Sequence, residues 1–327
     1  MIDTVVIADI EAAAKRLDGI VVETPLLQNV ELDRIAGGQV LIKPECFQSI
    51  GSFKIRGAYN LLSQLTPQQA KRGVVAWSSG NHAQGVALAG KLLGIQTAIV
   101  MPEDAPPAKL ENTRGLGGEV ISYDRYRGDR EKIARKIAAE RGAELVPSFD
   151  HPHIIAGQGT VGLEIAEQSQ RLGAAADQVL ICCGGGGLTS GSAVALKARL
   201  DDVSIYAVEP EGFDDTTRSL RAGRRVSVDP AARSICDALL TESPGKITFE
   251  IMQRLVDGGL VVSEEEVKTA MRFAFQNLKI VVEPGGAVAL AAVLSGKLDT
   301  AGKTTAIVIS GGNVDAELFA SIQTERT

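Results

Sequence analysis

Short unbroken apolar runs alternate with stretches of helical periodicity along most of the chain. "GVVAWS" (73–78) is followed by "NHAQGVALAGKLLG", "QTAIVMP" (96–102) by "APPAKLENTRGLG", and "GEVISYD" (118–124) by "DREKIARKIAAERG". Further on, "QVLICC" leads into "GGGGLTSGSAVALKARL", and "VSIYAVEP" and "TTAIVIS" repeat the theme. Strands apolar at every position are buried on both faces, and strand–helix alternation of this kind builds a parallel α/β sheet. The units between 73 and 150 form a compact set, which predicts a smaller domain inserted in the chain. Residues 1–70 and 151–327 then make the larger one. The opening "MIDTVVIADIEAAAKRL" carries early acids and no basic segment before an apolar run, so it reads as an amphipathic helix, not a signal peptide.

Composition narrows the function classes. A chain of 327 residues suggests about two domains. A net charge of −6 and a pI near 5.3 argue against nucleic acid as a partner, which normally needs a basic face. No apolar run approaches the roughly 20 residues of a membrane span. Cys46, Cys182, Cys183 and Cys236 show no metal or redox spacing, as expected of reduced thiols in the cytoplasm or another reducing compartment, the cytoplasm being the expected location.

Three glycine-containing loops follow predicted strands. Gly184 to Gly187 stand directly between an apolar strand and a helix. Four glycines let the backbone curl around a ligand, and the helix start offers free N–H groups and a positive dipole end. The loop lacks the lysine of a Walker motif and does not fit G-x-G-x-x-G, so a single phosphate is favoured over a nucleotide. "SSGNHAQG" (78–85) follows a second strand, and "ISGGNVD", with Ser310, a third. Such loops converge where open α/β sheets bind ligands, at the carboxyl ends of the strands.

Lys54, in "QSIGSFKIRGA", sits in an apolar turn bracketed by Gly51 and Gly57, glycines that would let the turn approach a ligand closely. A desolvated amine has a lowered pKa and becomes a nucleophile able to form a Schiff base. A phosphate cradle, a buried lysine and polar loops together suggest pyridoxal phosphate.

"GSFKIRGA", "SSGNHAQG", "GGGGL" and "SGGN", in this order and with "VPSFDHPHIIAGQGT" and "VVEPGGA", resemble the fold-type II pyridoxal phosphate enzymes. Within these the likeness is to the threonine/serine dehydratase and serine racemase group, and it covers essentially the whole chain. It implies two open, twisted, mainly parallel α/β sheet domains with the active site between them. It also implies that Lys54 holds the cofactor and then takes the Cα proton, that Phe53 flanks the ring, and that Asn81 bonds its phenolic oxygen. Gly184, Gly185, Gly186, Gly187 and Leu188 would form the phosphate loop, and Ser310 the partner of the pyridine nitrogen. Ser78, Ser79, Asn81 and His82 would grip the substrate carboxylate. The implied activity is dehydration of L-threonine and L-serine to a 2-oxo acid and ammonia, in a homodimer. The alternatives are a serine racemase, a dehydratase of another β-hydroxy amino acid such as 3-hydroxyaspartate, and a non-catalytic protein binding a phosphate ligand.

Within the group, some positions discriminate. Serine racemases carry a serine where many dehydratases have alanine in "SAGNH"; here Ser79 either serves as acid/base opposite Lys54 or only bonds within its loop. Arg130 aligns with an arginine that reaches the substrate carboxylate in the racemase, or is an exposed helical arginine. "AVEPEGFDD" resembles the racemase cation site, implying Glu209, the carbonyl of Phe213 and Asp215 as ligands for Mg²⁺, Ca²⁺ or Mn²⁺. His151 and His153 are better explained as loop caps than as metal ligands. Thr241 lies near the expected substrate contacts with no preference assigned. The chain ends soon after "SGGNVD", so no isoleucine-sensing regulatory domain and a catabolic role are expected.

Overall fold

The computed structural model describes residues 5–78, 80–105, 107–124 and 127–325. The apolar runs form two parallel sheets. One is ordered β1-β9-β6-β7-β8, from β1 (Gln39–Pro44), β6 (Gln178–Cys182), β7 (Ser204–Pro210), β8 (Gly258–Val262) and β9 (Thr304–Ile309). The other is ordered β4-β3-β2-β5, from β2 (Val74–Trp77), β3 (Thr97–Pro102), β4 (Glu119–Tyr123) and β5 (Glu144–Leu145). Every pairing within them is parallel; Leu180 of β6, for example, pairs with Tyr206 on one side and Ile307 on the other. The α/β architecture expected from the sequence is therefore present.

Helices supply the crossovers. Before and within the second sheet run α1 (Ile7–Leu17), α2 (Val30–Ala36), α3 (Lys54–Leu62), α4 (Pro67–Arg72), α5 (Asn81–Leu93), α6 (Pro107–Gly115) and α7 (Arg130–Arg141). Then come α8 (Pro152–Arg171), α9 (Gly187–Arg199), α10 (Asp215–Ala222), α11 (Lys246–Leu255), α12 (Glu264–Phe273), α13 (Pro284–Leu294) and α14 (Ala316–Thr324). Because β7 and β8 extend one side of β6 while β9 and β1 lie on the other, chain order reverses at β6, a point where such sheets open a crevice. In the second sheet the reversal falls at β2, flanked by β3 and β5.

Two helices are shaped by burial on all sides. Residues 284–293 of α13 are all buried, and it carries Ala and Val where an exposed helix would carry charge. In α8, a Cβ at Gly162 would stand 2.6 Å from Ser192 Cα, so α8 and α9 cross almost backbone to backbone. Helix α3 packs its apolar residues Ile55, Ala58, Leu61 and Leu62 with Val74, Ala76 and Val86 of the second sheet's layer, and with Ile154 of α8. It thereby joins the two sheets at the residue that starts it, Lys54.

No helix among the described residues is long and apolar enough to cross a membrane. The four cysteines are free, and Cys182 and Cys183 are core residues.

Candidate active site

A cleft of about 1120 Å³ lies at the ends of β2, β6 and β9, lined by Phe53, Lys54, Ser78, Asn81, His82, Gly184 to Leu188 and Ser310 among others. The polar-glycine loops thus converge as their positions after strands predict. Ser79 lies outside the described residues. Arg130 lines the same cleft as the exposed first residue of α7, and Thr241 brings to it a hydroxyl without a hydrogen-bond partner.

Lys54 reaches the cleft because the turn before it is stitched to the end of β9. Phe53 N–H donates to Ser310 O at 3.2 Å, Gly312 N–H donates to Gly51 O at 2.9 Å, and Ser52 bridges Gly311. Gly51 has φ +70, and a Cβ there would meet Asn313 Oδ1 at 2.6 Å. At Gly57 a Cβ would stand 3.0 Å from Ile154 O. These glycines therefore make room for Asn313 and α8, where the sequence suggested room for a ligand. Close approach to the lysine comes instead from Gly85, whose Cβ would lie 3.2 Å from that of Lys54.

The Lys54 amine donates to the Ser148 carbonyl at 3.0 Å and lies 4.9 Å from the Phe53 ring centre. Burial lowers its pKa to about 8, partly offset by Glu283. The carboxyl of Glu283, also buried, rises to about 7 through desolvation and the nearby Asp237. Glu283 Oε1 accepts from Asn81 Nδ2 at 2.6 Å, and Asn81 Oδ1 accepts from Asn313 Nδ2 at 2.7 Å. One Nδ2 hydrogen of Asn81 is left for a ligand. His82 is held neutral, with a pKa near 3, by burial and by Lys54. Its Nε2 lies 2.9 Å from Val146 O, an acceptor, so Nε2 carries the proton and the unpartnered Nδ1 is a bare acceptor. That ring cannot donate to a carboxylate. The first N–H groups of α5, which has no side-chain cap, can.

The glycine loop lines the cleft at the start of α9 and packs closely on the protein behind it. Gly186 adopts φ +91, and a Cβ there would stand 2.5 Å from Met252 Cε. A Cβ at Gly185 would run into the Phe149 ring. Bare glycine is thus required, and α9 begins at Gly187 with its first N–H groups free of intrahelical partners. Lys54, a neutral hydroxyl at Ser310 and this cradle are the donor set that pyridoxal phosphate needs.

Apart from the cleft, Glu209 and Asp215 are both fully buried. Glu209 accepts from Thr216 N–H, Thr217 N–H and Thr217 Oγ1 at 2.7–2.8 Å. Both oxygens of Asp215 lack a partner. Burial and the neighbouring Asp215 push Glu209 to about 8, and burial pushes Asp215 to about 7. No cluster of three or more metal-ligating His, Cys, Asp or Glu side chains occurs among the described residues. His151 is a cap, its Nδ1 accepting from His153 N–H at 3.1 Å at the start of α8.

The sequence drew attention to "VVEPGGA" and "AGQGT" as motifs, but not to what Glu283 or Gln158 do. Ser148, Phe149, Asp150 and Asn313 lie inside the quoted motifs "VPSFDHPHIIAGQGT" and "SGGN" but were given no part there, since polar and aromatic residues in loops look alike until the fold brings them together.

Comparison with known proteins gives the site its family. The model of the pyridoxal-phosphate dependent enzymes matches residues 17–311. The serine racemase of Schizosaccharomyces pombe is 44% identical over 312 residues, 95% of either chain. The L-threo-3-hydroxyaspartate ammonia-lyase of a Pseudomonas species is 45% identical over 314 residues, 96% of this chain and 97% of that one. The crystal structure of the T.th. threonine deaminase superposes with a TM-score of 0.88 at 43% identity, covering 95% of this chain and 99% of the other. With a desolvated lysine facing a bare-glycine anion cradle inside this fold, the chain belongs to the pyridoxal-phosphate dependent enzymes, in the group that holds the threonine and serine dehydratases and serine racemases.

Proposed function

We propose that this protein is an ammonia-lyase that dehydrates L-threonine and L-serine to the 2-oxo acid and ammonia. The observation that carries this is the setting of Lys54: an amine lowered to about 8 by burial, in one cleft with the glycine cradle and Ser310. Pyridoxal phosphate, when bound, supplies an electron sink for the bond that breaks at the substrate's Cα. Gly184 to Leu188 would hold its phosphate, Phe53 would flank its ring, and Asn81 would meet its phenolic oxygen. Ser310 offers the ring nitrogen a hydroxyl, which does not hold it protonated and so favours elimination over transamination. The substrate carboxylate would be gripped by Ser78, Ser79, Asn81 and the backbone of His82, as the resemblance implies, with Arg130, which lines the same cleft, as a further contact. Lys54 would remove the Cα proton as general base, the β-hydroxyl would leave with a proton as water, and a water would hydrolyse the released enamine to the 2-oxo acid and ammonia.

The serine at position 79 favours a second activity, since the resemblance to serine racemases assigns that residue the acid/base role that returns a proton with inversion. The kinship with a serine racemase supports it, and a β-carboxylate substrate such as 3-hydroxyaspartate is the third case. Glu209, the Phe213 carbonyl and Asp215 are proposed to hold a divalent cation; the buried, unpartnered carboxylate of Asp215 supports this reading. Residues 73–150 are proposed as the substrate-gripping domain of a cytoplasmic homodimer.

A panel of β-hydroxy amino acids, scored for 2-oxo acid release and for the chirality of residual substrate, tests the reading. Release from L-threonine and L-serine is expected. A protein that turns over no member of the panel, or stays colourless with the cofactor, refutes it. Ser79→Ala should remove racemisation and spare dehydration.

A further inference from the structure

Three parts of the site meet in the connector between β5 and α8, and one of its side chains has no place in the reaction above. Ser148 offers its carbonyl to Lys54 Nζ at 3.0 Å and to Gln158 Nε2 at 3.2 Å. Phe149 lies against Gly185. Asp150, the next residue, takes the first backbone N–H groups of α11: its Oδ2 accepts from Lys246 at 2.9 Å, and its Oδ1 from Ile247 at 2.9 Å and Thr248 at 3.3 Å. The N-cap position of α11 is Gly245, which has no side chain to do this. A Cβ there would stand 2.6 Å from Asp150 Cγ, so the glycine makes room for a cap delivered from about a hundred residues earlier in the chain. A carboxylate at a helix start also meets the positive end of the dipole.

From that capped end, α11 backs the glycine loop. Thr248 Oγ1 donates to Gly185 O at 2.7 Å, and Gly245 N–H donates to the same oxygen at 3.2 Å. Thr248 and Met252, both buried, stand against Gly186. In a trans peptide the carbonyl and the following N–H point in opposite directions. Fixing Gly185 O on Thr248 therefore turns Gly186 N–H away from α11, and the loop that carries it lines the cleft.

We infer that Asp150 is a positioning residue for the cofactor's phosphate: it caps α11, α11 fixes Thr248, and Thr248 aims the Gly185–Gly186 peptide at the anion. This rests on the pyridoxal phosphate reading above. It predicts an effect confined to ligands that carry a phosphate.

The full-length protein, freed of cofactor, is titrated with pyridoxal phosphate and, in parallel, with pyridoxal, which lacks the phosphate. Binding is followed by absorbance and tryptophan fluorescence. Uptake of pyridoxal phosphate by the unmodified protein tests the proposed function itself; the variants test the role of Asp150. Asp150→Ala and Thr248→Val should each weaken pyridoxal phosphate about five- to tenfold, the scale of a lost cap or buried hydrogen bond, and leave pyridoxal within about twofold. Asp150→Asn, which keeps one acceptor oxygen for Ile247 and Thr248 N–H but opposes Lys246 N–H with an amide donor, should lose less affinity than Asp150→Ala. Equal weakening of both ligands, or pyridoxal phosphate affinity unchanged in Thr248→Val, overturns the inference. Should Asp150→Ala fail to fold, Thr248→Val, which keeps shape and loses the hydroxyl, decides alone.

Discussion

The Lys54 amine hydrogen-bonds the Ser148 carbonyl at 3.0 Å, a neutral acceptor where an exposed lysine would find water or a carboxylate. A carbonyl cannot hold the amine charged against the cost of burial, which is why its pKa falls to about 8.

Cofactor uptake needs the neutral amine, so its rate constant should rise with pH, with a midpoint near 8, and then level off. At pH 7 about a tenth of Lys54 is neutral, against fewer than about one in a thousand for an unperturbed lysine. A stopped-flow midpoint near 10 would show that burial does not tune this amine. Stability obeys the same shift. Between about 8 and the ordinary 10.5 the unfolded chain binds more protons than the folded one, so Lys54 makes the cofactor-free protein more stable as pH rises through that window. Lys54→Ala should remove both effects and all turnover.

How far such a site can be read from sequence depends on the kind of contact. The loops after β2, β6 and β9 were legible because glycines and polar residues at strand ends have one physical use, and Lys54 because a charge among apolar neighbours is anomalous. Gly51 and Gly57 were legible as glycines but not in purpose, since the atoms they make room for, on Asn313 and α8, are far away in sequence. Asp150 stood inside a quoted motif, but its part was not legible. Its three bonds are to backbone N–H groups, which every residue but proline has, at a helix start whose nearness only the fold creates.

The Glu209 and Asp215 carboxyls, raised to about 8 and 7, set an opposite slope. From about pH 4 to 8 the folded protein keeps protons that the unfolded chain has lost, so this pair makes stability fall as pH rises. A divalent cation displaces those protons and should abolish the slope. Melting temperature against pH, in chelator and in Mg²⁺ or Ca²⁺, measures this. Saturation a hundredfold above Kd stabilises by about 2.7 kcal/mol. Identical curves in chelator and cation would remove the cation assignment, and Asp215→Asn should flatten the chelator curve.

Gly186→Ala tests the cradle by strain. The residue sits at φ +91, where an L side chain costs about 1–2 kcal/mol, and its methyl would crowd Met252 and Thr248. Pyridoxal phosphate affinity should fall about tenfold or more, with a smaller loss for pyridoxal. Unchanged binding would mean that this loop does not carry the phosphate.

Arg56, two residues beyond Lys54, is fully buried and holds the start of α3 in place by charge. Its guanidinium donates to Glu45 at 2.8 Å from Nε and from Nη2, and to Glu164 at 2.5 and 2.9 Å. Lys43, also fully buried, joins Glu164 at 2.6 Å. Arg56→Met would leave Glu45 ionised in the interior with Lys43 as the remaining nearby cation, a change expected to cost about 3–5 kcal/mol. The double change Arg56→Met with Glu45→Gln removes the stranded charge, so denaturant unfolding should recover a large part of that loss. Cofactor affinity separates anchoring from mere stability. If Arg56 fixes the turn that presents Lys54, the double variant should regain stability yet still bind pyridoxal and pyridoxal phosphate more weakly, by similar factors. That pattern is the converse of the one expected for Asp150, because the lysine serves both ligands and the cradle serves one.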